Sequence, residues 1–219
     1  NTTVLNAGIV TAVKFYGDGS GLTNLEGVDI PNVLFVNKGG NDSNSGVSAG
    51  EAKLTIKAAL EVAKPGTTIR VAAGQYVEDN PLIMPRETTI EGDSLREVSI
   101  RPQTTNNDLI YVANACYVSD VSFEGVMEPD KAVISFNPDA PDFITRGPYI
   151  RNCTNFVRDS IGMKIDGSKA LGDTKAMNVD SYTQYNQGGI GVSISNDGYA
   201  QLVSIFTICT DQSIVCNTG

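Results

Sequence analysis

The sequence predicts an all-β protein, a parallel β-helix with a short N-terminal capping helix and a small segment in front of it. Three observations predict this. Brief strand-like runs of three to five residues recur from Thr67 onward, separated by Gly, Asn, Asp and Pro. The pattern Thr68-Ile69-Arg70-Val71 returns as Thr89-Ile90-Glu91-Gly92, 21 positions later, and a period of roughly 20–25 residues with several short strands per turn is the mark of a β-solenoid. Only one stretch reads as helix, whereas a doubly wound sheet would need a crossover helix after each strand and a sandwich would show longer strands and regular hairpins.

Residues 1–31 differ in texture from the rest. They hold short apolar alternations (Val10, Ala12, Lys14, Tyr16) and the motif Phe15-Tyr16-Gly17-Asp18-Gly19-Ser20-Gly21-Leu22-Thr23-Asn24. Three Gly in five positions permit positive φ and a tight turn. The segment is too short to own a core and is expected to attach the chain to a partner or to oligomerise it, with Phe15 to Leu22 as the contact motif; a flexible linker is the alternative.

The main domain is expected over residues 32–219. Val33-Leu34-Phe35-Val36 is its first strand. The polar loop after it contains Asp42-Ser43-Asn44-Ser45-Gly46, whose alternating oxygen ligands resemble a calcium loop. The twelfth position from Asp42 is Lys53 where such a loop needs a closing acid, so a solvated turn without metal is expected. Thr55 then caps a helix whose apolar positions are Ile56, Ala59, Leu60 and Ala63, and Pro65-Gly66 ends it. The strand runs follow: Val98–Ile100, Leu109–Val112, Tyr117-Val118, Val121–Phe123, Ala132–Phe136, Tyr149-Ile150, Gly162–Ile165, Ile190–Ile194 and Leu202–Ile208. Stacking such coils buries an inner face that no coil buries alone. Asn114, Asn152, Asn178 and Asn196 are expected at the sharp bends, because Asn tolerates left-handed φ. The helix caps one open end; no equivalent cap follows Ile214, so continuation or assembly beyond Gly219 is expected.

Composition narrows the chemistry. The 219 residues carry 16 Lys and Arg against 25 Asp and Glu, a formal charge of −9, with no His and no Trp. Nucleic acid is therefore not expected as a partner. A Ser-His-Asp triad, a Cys-His pair and a His-ligated zinc site are excluded within this chain. No apolar run approaches the ~18 residues that span a bilayer, so no membrane partner is expected. Cys116, Cys153, Cys209 and Cys216 form no CxxC and are read as buried small hydrophobes, with a Cys209–Cys216 disulfide as the alternative.

The run from Phe35-Val36 through Asn41–Gly46 and Leu54–Tyr76, with its Pro65-Gly66-Thr67-Thr68-Ile69 entry and Gly74-Gln75-Tyr76 exit, resembles the opening of the pectin-lyase-like right-handed β-helix. Tyr117–Phe123 and Tyr149–Thr154 resemble its coils. The resemblance covers Val33 to Gly219 and implies a right-handed helix. That fold serves lyases, hydrolases, adhesins and phage spikes alike. The Gly17–Asn24 motif is similar to one in phage tail fibres, and the whole arrangement resembles structural proteins of T4-like cyanophages. The resemblance implies a non-enzymatic virion component in the tail or baseplate region, extracellular, homotrimeric, and in contact with other virion proteins.

Two other functions stay open: a polysaccharide depolymerase acting on host surface glycans, and a bacterial surface adhesin. An enzyme on this fold would need a basic residue or paired carboxylates on one face. The candidates are Asp120, Asp159, Asp166, Asp180 and Asp197, with Arg151, Lys164 and Lys169 as bases; as residues beside Gly, Asn and Ser they read first as turn formers, and no catalytic residue or cofactor is assigned. For binding a host polysaccharide, Tyr111, Tyr117, Tyr149, Tyr182, Tyr185 and Tyr199 could stack on sugars if they point outward. Tyr182 and Tyr185, in the polar Ser181–Gly189 stretch, are the chosen pair.

Overall fold

The computed structural model describes residues 32–140, 143–169 and 175–217. The expected attachment segment over 1–31, with Phe15 to Leu22, lies outside them.

The described chain is a right-handed parallel β-helix of sixteen strands with one short helix. Every strand pairing in it is parallel. After β1 (Val33–Val36) come a 3-10 turn (Ala49–Glu51) and α1 (Ile56–Val62). The strands then run β2 (Thr68–Val71), β3 (Gly74–Glu78), β4 (Leu82–Ile83), β5 (Thr89–Gly92), β6 (Val98–Pro102), β7 (Ile110–Val112), β8 (Tyr117–Ser119), β9 (Ser122–Val126) and β10 (Ala132–Phe136). The later coils are longer: β11 (Tyr149–Arg158), β12 (Ile161–Asp166), β13 (Ala176–Tyr185), β14 (Ile190–Ser195), β15 (Tyr199–Ile208) and β16 (Gln212–Asn217).

Stacking gives three faces. Face one holds β1, β2, β5, β8 and the first halves of β11, β13 and β15. Face two holds β3, β6, β9 and the second halves of the same three strands. Face three holds β4, β7, β10, β12, β14 and β16. Register places like over like. On face one Leu34, Ile69, Ile90, Val118, Ile150, Val179 and Leu202 form a single inward column. On face three Leu82, Ile110, Ile134, Met163, Val192 and Ile214 form another. Fully burying one such side chain contributes about 1.5–3 kcal/mol, which explains why the recurring Ile and Val positions set the period.

The bend between faces one and two is one residue in left-handed conformation, repeated coil after coil: Asp120, Asn152, Ser181 and Ser204, at φ of 59°, 48°, 55° and 52°. Asn152 Nδ2 donates to Asp120 Oδ1 at 2.6 Å, linking two rungs. Asn196 also takes left-handed φ, and Asn114 stands beside left-handed Ala115, its Oδ1 accepting from the Thr145 and Arg146 amides. Asn178 does not sit at a bend. It lies within β13, paired with Tyr149 and Gln201, because the left-handed turn falls three residues later at Ser181.

At the N-terminal end α1 covers the first coil with Ile56, Ala59 and Leu60. Thr55 caps it by accepting from the Ala58 amide at 3.1 Å. The cap has a second part that the sequence reading missed: the buried Glu78 carboxylate, from β3, accepts from the Ile56 and Lys57 amides. At the other end no described residue stacks on β15 and β16, and Phe206, Tyr199 and Ile214 stand exposed there. This position also corrects the cysteine reading. Cys116 and Cys153 are buried, but Cys209 and Cys216 belong to the last coil and are exposed, and no disulfide joins any of the four.

Candidate functional site

Three regions bring charged or aromatic side chains together. A cleft of about 480 Å³ opens beside α1 and includes Asp42, Lys53, Lys57, Glu78 and Asp79. Its charges are occupied in holding the entry to the helix. Asp42 accepts from the Leu54 and Thr55 amides and the Thr55 hydroxyl. Lys57 bonds Asp79 at 2.5 Å. Lys53, only 5 % exposed, donates its ammonium to the carbonyl oxygens of Asp42 and Asn44. The loop that resembled a calcium site thus carries a lysine where the cation would stand. Burial raises the Glu78 pKa, against the two amide hydrogen bonds that lower it.

The second region lies on the outer side of face three. Asp108, Ser135, Lys164, Asp166, Ser168 and Lys175 surround a cleft of about 50 Å³, room for a few ordered waters. The register that pairs Ser135 with Lys164 makes this grouping. Asp108 is fixed: it accepts from the Ser135 hydroxyl at 2.6 Å and from the Ala132 amide at 2.8 Å. Burial works to raise Asp166, but hydrogen bonds from Asn196 and Ser168 and the nearby Lys164 ammonium outweigh it and hold its carboxyl below the ordinary value. Lys175 lies over the Phe136 ring at 5.5 Å.

Of the eight candidate acids and bases, then, only Asp166 and Lys164 meet in this cleft. Asp120, Asp159, Lys169 and Asp197 are left-handed bend residues. Arg151 and Asp180 lie together on face one, 3.9 Å apart. Asp108 was missed because the acids considered lay beside bends further along the chain; its signal is the stretch of 24 residues to Ala132, one coil.

The third region is the outer side of face one. Tyr117 and Tyr149 stack in register there, ring centroids 5.7 Å apart and edge to face. Arg151 reaches the Tyr117 hydroxyl, and this contact chiefly raises its pKa. Tyr149, Asn178, Asp180 and Gln201 border a shallow cleft of about 200 Å³.

The chosen tyrosine pair separates. Tyr185 is outward and 42 % exposed, its ring 6.3 Å from that of Phe156. Tyr182 is fully buried and cannot meet a sugar. It follows the left-handed Ser181, and that bend resets the alternation so that Tyr182 points inward, edge to face with Phe123. Burial, and after it the nearby Cys153, push its hydroxyl well above the ordinary pKa. Among the described residues no group of three or more Cys, Asp or Glu is placed to hold a metal ion, and no helix is long and apolar enough to cross a membrane.

Three stacked parallel faces, left-handed single-residue bends and a helix over the first coil define the class, a pectin-lyase-like parallel β-helix. The chain belongs to the family described as Protein of unknown function (DUF1565), whose profile matches residues 38–212. No curated protein matches the sequence. Among solved structures a rhamnogalacturonan lyase is similar at 10 % identity over 85 % of this chain, with a TM-score of 0.43; the match spans 62 % of the lyase chain.

Proposed function

We propose that this chain is a non-enzymatic structural protein of a tailed-phage particle, a tail fibre, spike or baseplate-associated component in the extracellular virion. Its β-helix serves as a rigid spacer or host-facing surface. The observation that carries the reading is the unbroken inward column from Leu34 to Leu202, in register through seven strands of face one. A rod whose backbone bonds and aliphatic contacts repeat along one axis resists bending, which is what a spacer requires. The Gly17-Asp18-Gly19-Ser20-Gly21 motif, similar to one in tail fibres, supports attachment through residues 1–31 as a homotrimer contacting other virion proteins.

The test is antibody labelling, by electron microscopy, of phage particles that carry this chain. Label on the tail or baseplate is the expected result; chain found only in the host envelope overturns the virion reading and favours an adhesin. Light scattering on residues 1–219 tests the trimer, and a monomeric mass sinks it.

One observation favours a second reading, a depolymerase: the Lys164 ammonium beside Asp166 and the Ser135–Asp108 pair on face three. A lysine base with nearby carboxylates suits removal of a proton next to a sugar carboxylate. Release of unsaturated or reducing sugars from host glycans, lost in Lys164→Ala, would establish it.

A further inference from the structure

We propose that the outer side of face one is a binding site for a neutral polysaccharide chain lying along the axis of the β-helix, across β8, β11, β13 and β15. The inference does not depend on the virion reading; it rests on side-chain placement.

Six residues carry it. Tyr117, Tyr149, Asn178 and Gln201 form one outward column, each directly paired with the next. Arg151 and Asp180 stand beside them in the neighbouring outward column. The core does not require these tyrosines, since Ile150 and Val118 fill the inward side of the same strands. Their rings lie on the solvent side, Tyr149 at 36 % exposure. A tyrosine ring offers an apolar face for the C–H side of a pyranose and a hydroxyl for its rim.

The polar rungs complete the match. Asn178 and Gln201 each present a donor and an acceptor in one plane, the pattern of a vicinal hydroxyl pair. Asp180 faces the Tyr149 hydroxyl at 3.4 Å and the Arg151 Nε at 3.9 Å, so the carboxylate and guanidinium are held before a ligand arrives. Tyr149, Asn178, Asp180 and Gln201 border the 200 Å³ cleft. Rungs repeat at the strand spacing of about 4.8 Å, close to the advance of one sugar unit in an extended chain. Successive sugars therefore meet successive coils. Tyr149, Asp180 and Arg151, already in contact with one another, lose less freedom on binding than unpaired side chains would, which preserves affinity on a shallow surface.

Charge selects a neutral chain. Arg151 is balanced locally by Asp180, and the protein carries a formal charge of −9, which disfavours a polyanion.

The experiment is calorimetric titration of residues 1–219 with neutral oligosaccharides of two to six units (gluco-, xylo-, manno- and galacto-series), beside a uronate series. Affinity for at least one neutral series is expected to rise at least tenfold from dimer to tetramer and to be insensitive to salt. Tyr149→Ala should weaken it roughly five- to tenfold, the value of one aromatic contact. Asn178→Ala should weaken it as well, while Tyr185→Ala on face two should not. Circular dichroism of each variant separates lost binding from lost folding. Failure of all neutral series to bind, equal loss in Tyr185→Ala, or binding confined to uronates and abolished by salt would each overturn the proposal. Sugar release without an effect of Tyr149→Ala would support the face-three cleft and count against face one.

Discussion

Lys53 donates its ammonium to the Asn44 carbonyl oxygen at 2.7 Å, from inside the loop whose oxygens mimic a calcium site. A second bond to the Asp42 carbonyl at 2.9 Å fixes it. The chain thus supplies its own cation, from the position where a calcium loop would place its closing acid.

Lys53→Met is expected to leave both carbonyls without that partner and to cost about 1–3 kcal/mol. Urea denaturation measures the loss. Calcium should leave the wild-type urea midpoint unchanged; a clear rise of that midpoint on adding calcium would contradict the self-supplied cation.

Glu78 makes the capping of α1 depend on pH. Its folded pKa is raised above the ordinary 4.5, chiefly by burial. The folded chain then binds more protons than the unfolded chain between 4.5 and the raised value. The contribution of Glu78 is fully present below 4.5 and falls as pH rises through that window. Glu78→Gln should flatten this part of the stability–pH curve relative to wild type, read from urea midpoints at successive pH values. Parallel curves for the two proteins would refute the assignment. Glu78→Ala, which also strips the Ile56 and Lys57 amides of their acceptor, should cost about 1–3 kcal/mol.

Tyr182 has a buried hydroxyl without a hydrogen-bond partner among the described residues. Tyr182→Phe should therefore be neutral or stabilising, since an unsatisfied buried polar group costs about 1–3 kcal/mol. Tyr182→Ala, which empties the space beside Phe123, should cost about 3–5 kcal/mol. A loss above ~1 kcal/mol in the Phe variant would show that the hydroxyl is satisfied.

Asn152 combines left-handed φ with its bond to Asp120. Asn152→Gly keeps the backbone free to adopt that conformation and loses only the bond. Asn152→Ala loses both, and a left-handed alanine costs a further ~1–2 kcal/mol. Chemical denaturation should rank the stabilities wild type, Gly, Ala. Equal stability of the Gly and Ala variants would mean that the bend is not what selects asparagine.

Much of this fold is legible in the chain because its physics is local and repeated. Ile69 and Ile90 announce the period, and Thr55 announces the helix start, since each depends on neighbours a few residues away. Tyr182 was misread for the opposite reason. Two-residue alternation predicts facing only within an unbroken strand, and a left-handed Ser181 inside β13 shifts the parity of everything after it. The Ser181–Gly189 stretch is polar in sequence, yet its Gln184 and Asn186 are fully buried.

The sequence by itself determined the architecture: short strands of Ile and Val at a solenoid period, small polar bends, one capping helix, and chemistry without histidine. The tertiary structure alone decided which side chains meet. Tyr117 and Tyr149 are 32 positions apart, and Asp108 and Lys164 are farther still, so no local pattern links them. They become neighbours through strand register, which is set by the buried columns and not by the surface residues that those columns carry into place.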